Sequence, residues 1–152
     1  LVPKVLVANQ TRIVEAVCDP GGDWLPAVPV LGVYPTGAHW DDERHRPAGE
    51  VASSAWEIAA VLTSSVASVW LWDRGAGTGL SVDTIRLSPV TLGELPWPGG
   101  DLRRAVEALR GGDVRRCSAA VIEAYGIEDA AALDGWWSPL LERIEMRQPS
   151  TA

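Results

Sequence analysis

The chain has no Phe, one Lys, one Asn, two Tyr and two Cys, and each shortage excludes something. Cys18 and Cys117 stand far apart, too few for a disulfide framework and without the paired spacing of a zinc site, so a reducing, cytoplasmic setting is expected. The longest uncharged run, Ile58 to Trp72, falls short of the roughly 20 apolar residues of a membrane span, and Thr63-Ser64-Ser65 interrupts it. No membrane partner is expected. Positive charge is scarce as well: Lys4 and twelve arginines face twenty acidic residues, for a net charge of -7. Residues 1 to 98 carry six basic and eleven acidic side chains, and residues 99 to 152 carry seven and nine. Phosphate contacts come from Lys and Arg, so contact with a nucleic acid would need a local cluster and the help of another domain.

What is present is an ordinary globular composition, 47% apolar and 22% charged, in 152 residues, enough for one core. The start on Leu1 leads to the expectation of a piece of a longer polypeptide, with no signal-peptide pattern at its head. Residues 4 to 8 and 12 to 18 are rich in Val, Leu and Ile and read as strands. The turn Pro20-Gly21-Gly22-Asp23 leads into Trp24 to Tyr34, a hairpin arm that Pro26 and Pro29 confine to a sheet edge or a bulge. Residues 35 to 50 read as a loop. Apolar positions 58, 62, 66 and 69 predict a buried helix from Ser54 to about Trp70, with Ser54 and Glu57 as a capping box.

Gly75, Gly77 and Gly79 break that helix, and Thr84 to Leu87 reads as a short strand. Asp101 and Gly111 bracket one further helix. Asp113 and Gly126 bracket another, with Ile127 placed for a Schellman contact. A last helix is predicted over Trp136 to Ile144. The fold class is therefore α+β, a mixed, mainly antiparallel small sheet with a buried helix, followed by a helical C-terminal tail. The sequence divides near residue 99, into residues 1 to 98 and a helical extension over 99 to 152.

No catalytic machinery is legible. Neither Cys has a His nearby, no Ser sits in a Gly-x-Ser-x-Gly elbow, and Asn9 is followed by Gln10-Thr11 rather than by the Pro-Pro-aromatic of amino-methylating DNA enzymes. Val69 to Gly79 is similar to the first motif of S-adenosylmethionine enzymes, but that motif needs a strand before its glycines and a helix after them; here the order looks reversed, and a plain loop is the expectation. His39 and His45 flank Asp41, Asp42 and Glu43 in a Pro/Gly loop that reads first as solvated surface and only second as a metal site. Asn9-Gln10-Thr11-Arg12 is chemically a base-reading set: Asn and Gln can bond adenine bidentately, Arg suits guanine or phosphate, and Thr offers a hydroxyl and a methyl. An inert polar turn is the plainer alternative. Arg86 and Ser88 suit backbone phosphates, and Trp24 and Trp40 are the stacking candidates among eight tryptophans that otherwise fall on inward positions.

Several stretches together carry a family resemblance. Pro3-Lys4-Val5-Leu6-Val7-Ala8, Gln10-Thr11-Arg12, Trp24-Leu25-Pro26 with Val28-Pro29-Val30, Ala60-Val61-Leu62-Thr63-Ser64 with Val69-Trp70, and Leu80-Ser81 through Ile85-Arg86-Leu87-Ser88 to Leu95-Pro96-Trp97-Pro98 resemble the C-terminal specificity domain of TaqI-like adenine-specific DNA methyltransferases. The resemblance covers residues 3 to 98. It implies a target-recognition module for double-stranded DNA, of a restriction-modification or phage-defence system, working with a methyltransferase catalytic domain in cis or in trans. That domain would hold S-adenosylmethionine and flip the adenine; no cofactor is expected in this chain, which would be a non-catalytic part. The DNA-contacting candidates are Lys4, Asn9, Gln10, Thr11, Arg12, Trp24, Arg86 and Ser88. The alternative is a non-enzymatic protein-protein interaction domain that pairs through the Pro-rich edge Trp24 to Tyr34 and the Trp-rich tail.

Overall fold

The computed structural model describes residues 2–38 and 46–146, and in it Val5 and Val7 are fully buried while Leu6 and Ala8 are partly covered. That alternation is the signature of a strand with one face on a core. Strand β1 (Lys4–Ala8) is the centre of a three-stranded antiparallel sheet, between β3 (Ala16–Asp19) and the edge strand β4 (Val30–Val33). Lys4 stands opposite Asp19, and Val5 stands opposite Cys18 on one side and Val33 on the other. The hairpin expected over 24 to 34 is not formed: the arm contracts to β4, because Pro26 and Pro29 have no N–H to give a ladder, and β4 pairs with β1 instead of with β3. The strand expected over 12 to 18 also shortens. Only its end forms β3, while β2 (Gln10–Thr11), in the stretch read as a polar turn, leaves the main sheet and pairs antiparallel with β5 (Ile85–Arg86).

The expected central helix is two helices, α1 (Ala48–Thr63) and α2 (Ser65–Gly75), bent by 64°. Ser64 makes the break. Its backbone is extended, its hydroxyl donates to the Val61 carbonyl at 2.6 Å, and the same oxygen accepts from the Ala67 N–H at 3.2 Å. One side chain thus closes the first helix and caps the second. The capping box expected at Ser54 is not formed: Ser54 lies inside α1, where its hydroxyl accepts from Arg46 Nη2 at 3.1 Å, and the helix opens after Pro47. Among the described residues no single helix is long and apolar enough to cross a membrane.

Beyond β5 come α3 (Pro89–Gly93), α4 (Arg103–Arg110), α5 (Val114–Tyr125) and α6 (Ala131–Glu145). Asp113 caps α5, and Gly126, at φ 72°, closes it while the Ile127 N–H reaches the Ile122 carbonyl at 3.2 Å. That is the Schellman closure expected from the sequence. Helix α6 starts earlier than the tryptophans suggest and carries Pro139 within it.

These helices do not form an appendage. Ala55, Ala59 and Leu62 of α1 pack with Val5 and Val7 of the sheet, while Ala60 and Val61 on its other side pack with Ala105, Cys117 and Val121 of α4 and α5. Ile13, just after β2, is buried with Trp137 and Leu141 of α6. The boundary near residue 99 therefore marks a change in secondary structure, and the cores run across it.

Among the described residues one ion pair is sealed inside. Lys4 and Asp19 are 1% and 2% exposed, with Nζ 2.6 Å from Oδ2. Asp19 also accepts the N–H groups of Asp23 at 2.9 Å and Trp24 at 3.0 Å, and so fastens the turn after β3. Burial alone would push the Asp19 carboxyl up; the Lys4 hydrogen bond and the two backbone donors outweigh it and hold the group below its ordinary value. A depressed carboxyl stabilises the fold above the unfolded-state pKa of about 3.9, and that contribution is lost as pH falls through the lower folded value. Denaturant titrations should accordingly show Asp19-linked stability level at neutral pH and falling in acid below about pH 4. Lys4→Met, which strands the buried carboxylate, should cost about 3–5 kcal/mol; an unchanged midpoint would show that the pair is dispensable.

The shared core carries a second expectation. A chain stopped after Pro98 should lose its cooperative thermal transition by circular dichroism, because Ala60 and Val61 lose their cover. A sharp transition in the shortened chain would establish an independent first unit.

Candidate functional site

Where β1 ends, the backbone passes through Asn9 into β2, and β5 lies against it. The Leu87 N–H donates to the Asn9 carbonyl at 2.7 Å, which leaves Gln10 and Arg86 as the next, non-hydrogen-bonded pair. Opposed side chains stand closest at such pairs. Thr11, Ile85 and Leu87 are buried on the inner face, Gln10 is half-buried and Arg86 is exposed. Two segments far apart in sequence thus become one polar ribbon, with Asn9, Gln10 and Arg12 on one strand path and Arg86 and Ser88 on the other.

The loop over 76 to 84 braces this ribbon. Thr78 Oγ1 donates to the Gly75 carbonyl at 2.6 Å and accepts from the Arg86 N–H at 3.1 Å. Gly79 lies so close to Thr84 that an added Cβ would come within 2.1 Å of its carbonyl oxygen. Near the loop's end Asp83 forms an ion pair with Arg12, both groups partly exposed. The Ser81 hydroxyl, 2.8 Å from Asp83 Oδ1, is the main influence holding that carboxyl below its ordinary value; a little burial opposes it, and Arg12 and Arg143 add to it. Helix α2 precedes these glycines and β5 follows them, the reverse of the strand, loop and helix order of an S-adenosylmethionine motif. Gly79 serves the brace.

The remaining candidates are placed differently. Thr11 is 4% exposed, and its hydroxyl lies 2.5 Å from the Ile13 carbonyl and 2.6 Å from the Glu15 carboxylate, so its proton is held internally. Lys4 is committed to Asp19 at the far end of β1, six residues or at most roughly 20 Å of extended chain from Gln10. Trp24, 52% exposed, lies at that same far end through its N–H bond to Asp19. Burial therefore removes Lys4 and Thr11 from the presented set, and Trp24 stands apart from it. Ser88 stays beside the ribbon, but its oxygen caps α3 by accepting the Thr91 N–H at 3.1 Å. Trp40 and the cluster His39, Asp41, Asp42, Glu43 and His45 lie outside the described residues. Among the described residues no group of three or more His, Cys, Asp or Glu is placed to hold a metal ion.

Asp83 and Thr78 are neighbours of the ribbon that sequence reasoning missed. The only signal was the alternation of Thr84, Ile85, Arg86 and Leu87, which says that Arg86 faces out but not which strand lies opposite. An apolar groove of about 630 Å³ lies beside the edge strand β4, lined among others by Leu31, Val33, Ile58, Leu92, Leu95 and Trp97.

Neither thiol offers a nucleophile. Burial pushes Cys18 up to about 11, with Asp19 adding and Arg110 opposing, and burial pushes Cys117 up to about 12, with Asp113 adding. A neutral, enclosed thiol is inert. Searches of protein-family models, curated proteins and solved structures find no match for the chain. A thiol-disulfide reagent at pH 8 should find both cysteines unreactive in the native protein and both reactive in denaturant; rapid native labelling of either would reopen the question of a reactive cysteine.

Proposed function

We propose that this chain is a DNA-sequence recognition module of an S-adenosylmethionine-dependent, adenine-specific DNA methyltransferase in a restriction-modification or phage-defence system. Chemistry belongs to a catalytic domain acting in cis or in trans, in the cytoplasm. The observation that carries this reading is the pairing of β2 with β5, which sets Gln10 opposite Arg86, with Asn9, Arg12 and Ser88 adjoining them along the two strand paths. A two-stranded ribbon is one of the shapes that the major groove admits, and Gln and Asn are the side chains that match adenine there. The resemblance of residues 3 to 98 to the specificity domain of TaqI-like methyltransferases supports the same assignment. The acidic balance gives the division of labour: the ribbon selects sequence, and the partner domain supplies most of the non-specific affinity.

In the roles assigned here, Gln10 and Asn9 read base edges, Arg86 meets a phosphate or a guanine, and Ser88 contacts the backbone. S-adenosylmethionine binds the partner domain, so labelled methyl transfer to DNA by this chain alone is not expected. Binding to a pool of duplexes, followed by fluorescence anisotropy across a salt series, tests the reading. Arg86→Gln should lower the salt slope by about 1. Gln10→Ala should erase about 1–3 kcal/mol of discrimination at one base pair. A wild-type chain that shows neither salt dependence nor sequence preference would sink the assignment.

A second reading, the non-enzymatic interaction domain, is favoured by the apolar groove beside β4, and by the exposed side chains of Trp24, Leu25 and Val28 in the segment that precedes β4 in sequence. It expects no duplex binding for Arg86→Gln to weaken.

A further inference from the structure

Arg12 is the one guanidinium of the ribbon that already holds an anion. Its partner Asp83 comes from the bracing loop, and the pair is 32% and 49% exposed, open enough for solvent or a ligand to reach it. A carboxylate and a phosphate monoanion present the same oxygen pattern to an arginine fork. We propose that Arg12 is a phosphate-binding site of the DNA interface and that Asp83 occupies it as an internal phosphate mimic until the duplex displaces it. This inference rests on the recognition reading above.

The loop is built for such an exchange. Leu80 and Val82, which flank Ser81, are 90% and 98% exposed, so swinging the loop tip uncovers no apolar surface that is now buried. Its inner turn is self-contained: the Thr84 N–H donates to the Ser81 carbonyl at 3.1 Å, and the Ser81 N–H donates to Thr84 Oγ1 at 3.3 Å. The brace behind it, Thr78 to the Gly75 carbonyl and the Arg86 N–H, does not include Asp83 and stays closed. When Asp83 leaves, Ser81 still satisfies one of its oxygens, so the carboxylate moves into water already partly hydrogen-bonded. Arg12, for its part, passes from one anion to another and is never left unpaired.

In the free chain the mimic sets a threshold. A single stray phosphate must outcompete a tethered carboxylate, while a duplex that also engages Gln10 and Arg86 does so with help from its other contacts. Weak, non-specific contact is thereby penalised more than specific contact.

The test is a double-mutant cycle on the 152-residue chain, read by duplex-binding anisotropy at several salt concentrations. Asp83→Asn should tighten binding about twofold to fivefold at low salt, because Arg12 then meets its phosphate without first parting from a carboxylate, with the gain shrinking as salt rises. In an Arg12→Gln background the same Asp83→Asn change should gain almost nothing. If the gain persists without Arg12, Asp83 acts by general repulsion and the proposal fails. If the wild type binds and Asp83→Asn leaves binding unchanged or weaker, the proposal fails while the recognition reading stands. If neither the wild type nor any variant binds duplex, both fall together. Thermal midpoints of the variants, expected to stay close to the wild type because both side chains are surface groups, separate a binding effect from loss of fold.

Discussion

Helix α1 has almost no free side in its second half, and the architecture depends on that. Ala55, Ala59 and Leu62 meet the sheet, while Ala60 and Val61 meet α4 and α5 across the opposite face. A helix buried on two faces must be narrow where its neighbours approach closely, which is what a run so rich in alanine supplies. A Leu at Ala59 or Ala60 would overpack one interface or the other. The sheet, the bend at Ser64 and the helical pair all take their positions from this sandwich. The ribbon is held on its flank, with Thr11 and Ile85 directed inward.

Serine does unusual service in this core. Ser64, Ser65, Ser68 and Ser118 are all buried, and each is spent on a specific bond: Ser118 Oγ accepts the Ser65 N–H at 3.0 Å and lies 3.0 Å from its hydroxyl, and Ser68 Oγ accepts the Val14 N–H at 3.1 Å. These bonds join α2 to α5 and to the segment between the two sheets. They also explain how an irregular stretch such as Ile13 and Val14 can be buried, since its donor finds a partner in a side chain where a ladder is missing.

Much of this was legible in the order of residues. Strand β1, the caps at Asp113 and Gly126 and the short strand around Ile85 follow from local chemistry, which acts over three or four residues. What stayed hidden is non-local or depends on one hydroxyl. Spacing at 58, 62, 66 and 69 runs smoothly through Ser64, so periodicity cannot show a bend that a single side chain makes by bonding in both directions. The polar set was legible as chemistry but not as geometry: Asn9, Gln10 and Arg12 were recognisable, as was Arg86, yet nothing in the sequence declares that residue 10 faces residue 86. Nor could composition reveal that Lys4 would be swallowed by Asp19. Hydropathy places a lysine outside, and only the register that sets residue 4 opposite residue 19 explains the exception.

The ladder between β2 and β5 is two residues long, and its shortness governs how such a surface can diversify. Successive side chains alternate between faces, so a slip of one position would expose Thr11 and Ile85 and drive Gln10 and Arg86 into the core. Sliding is therefore closed as a route to a new preference. Substitution at positions 10 and 86 is open, because neither outward side chain carries the packing beneath it. The inner pair acts as a lock and the outer pair as an interchangeable face, an arrangement in which novelty costs the fold little.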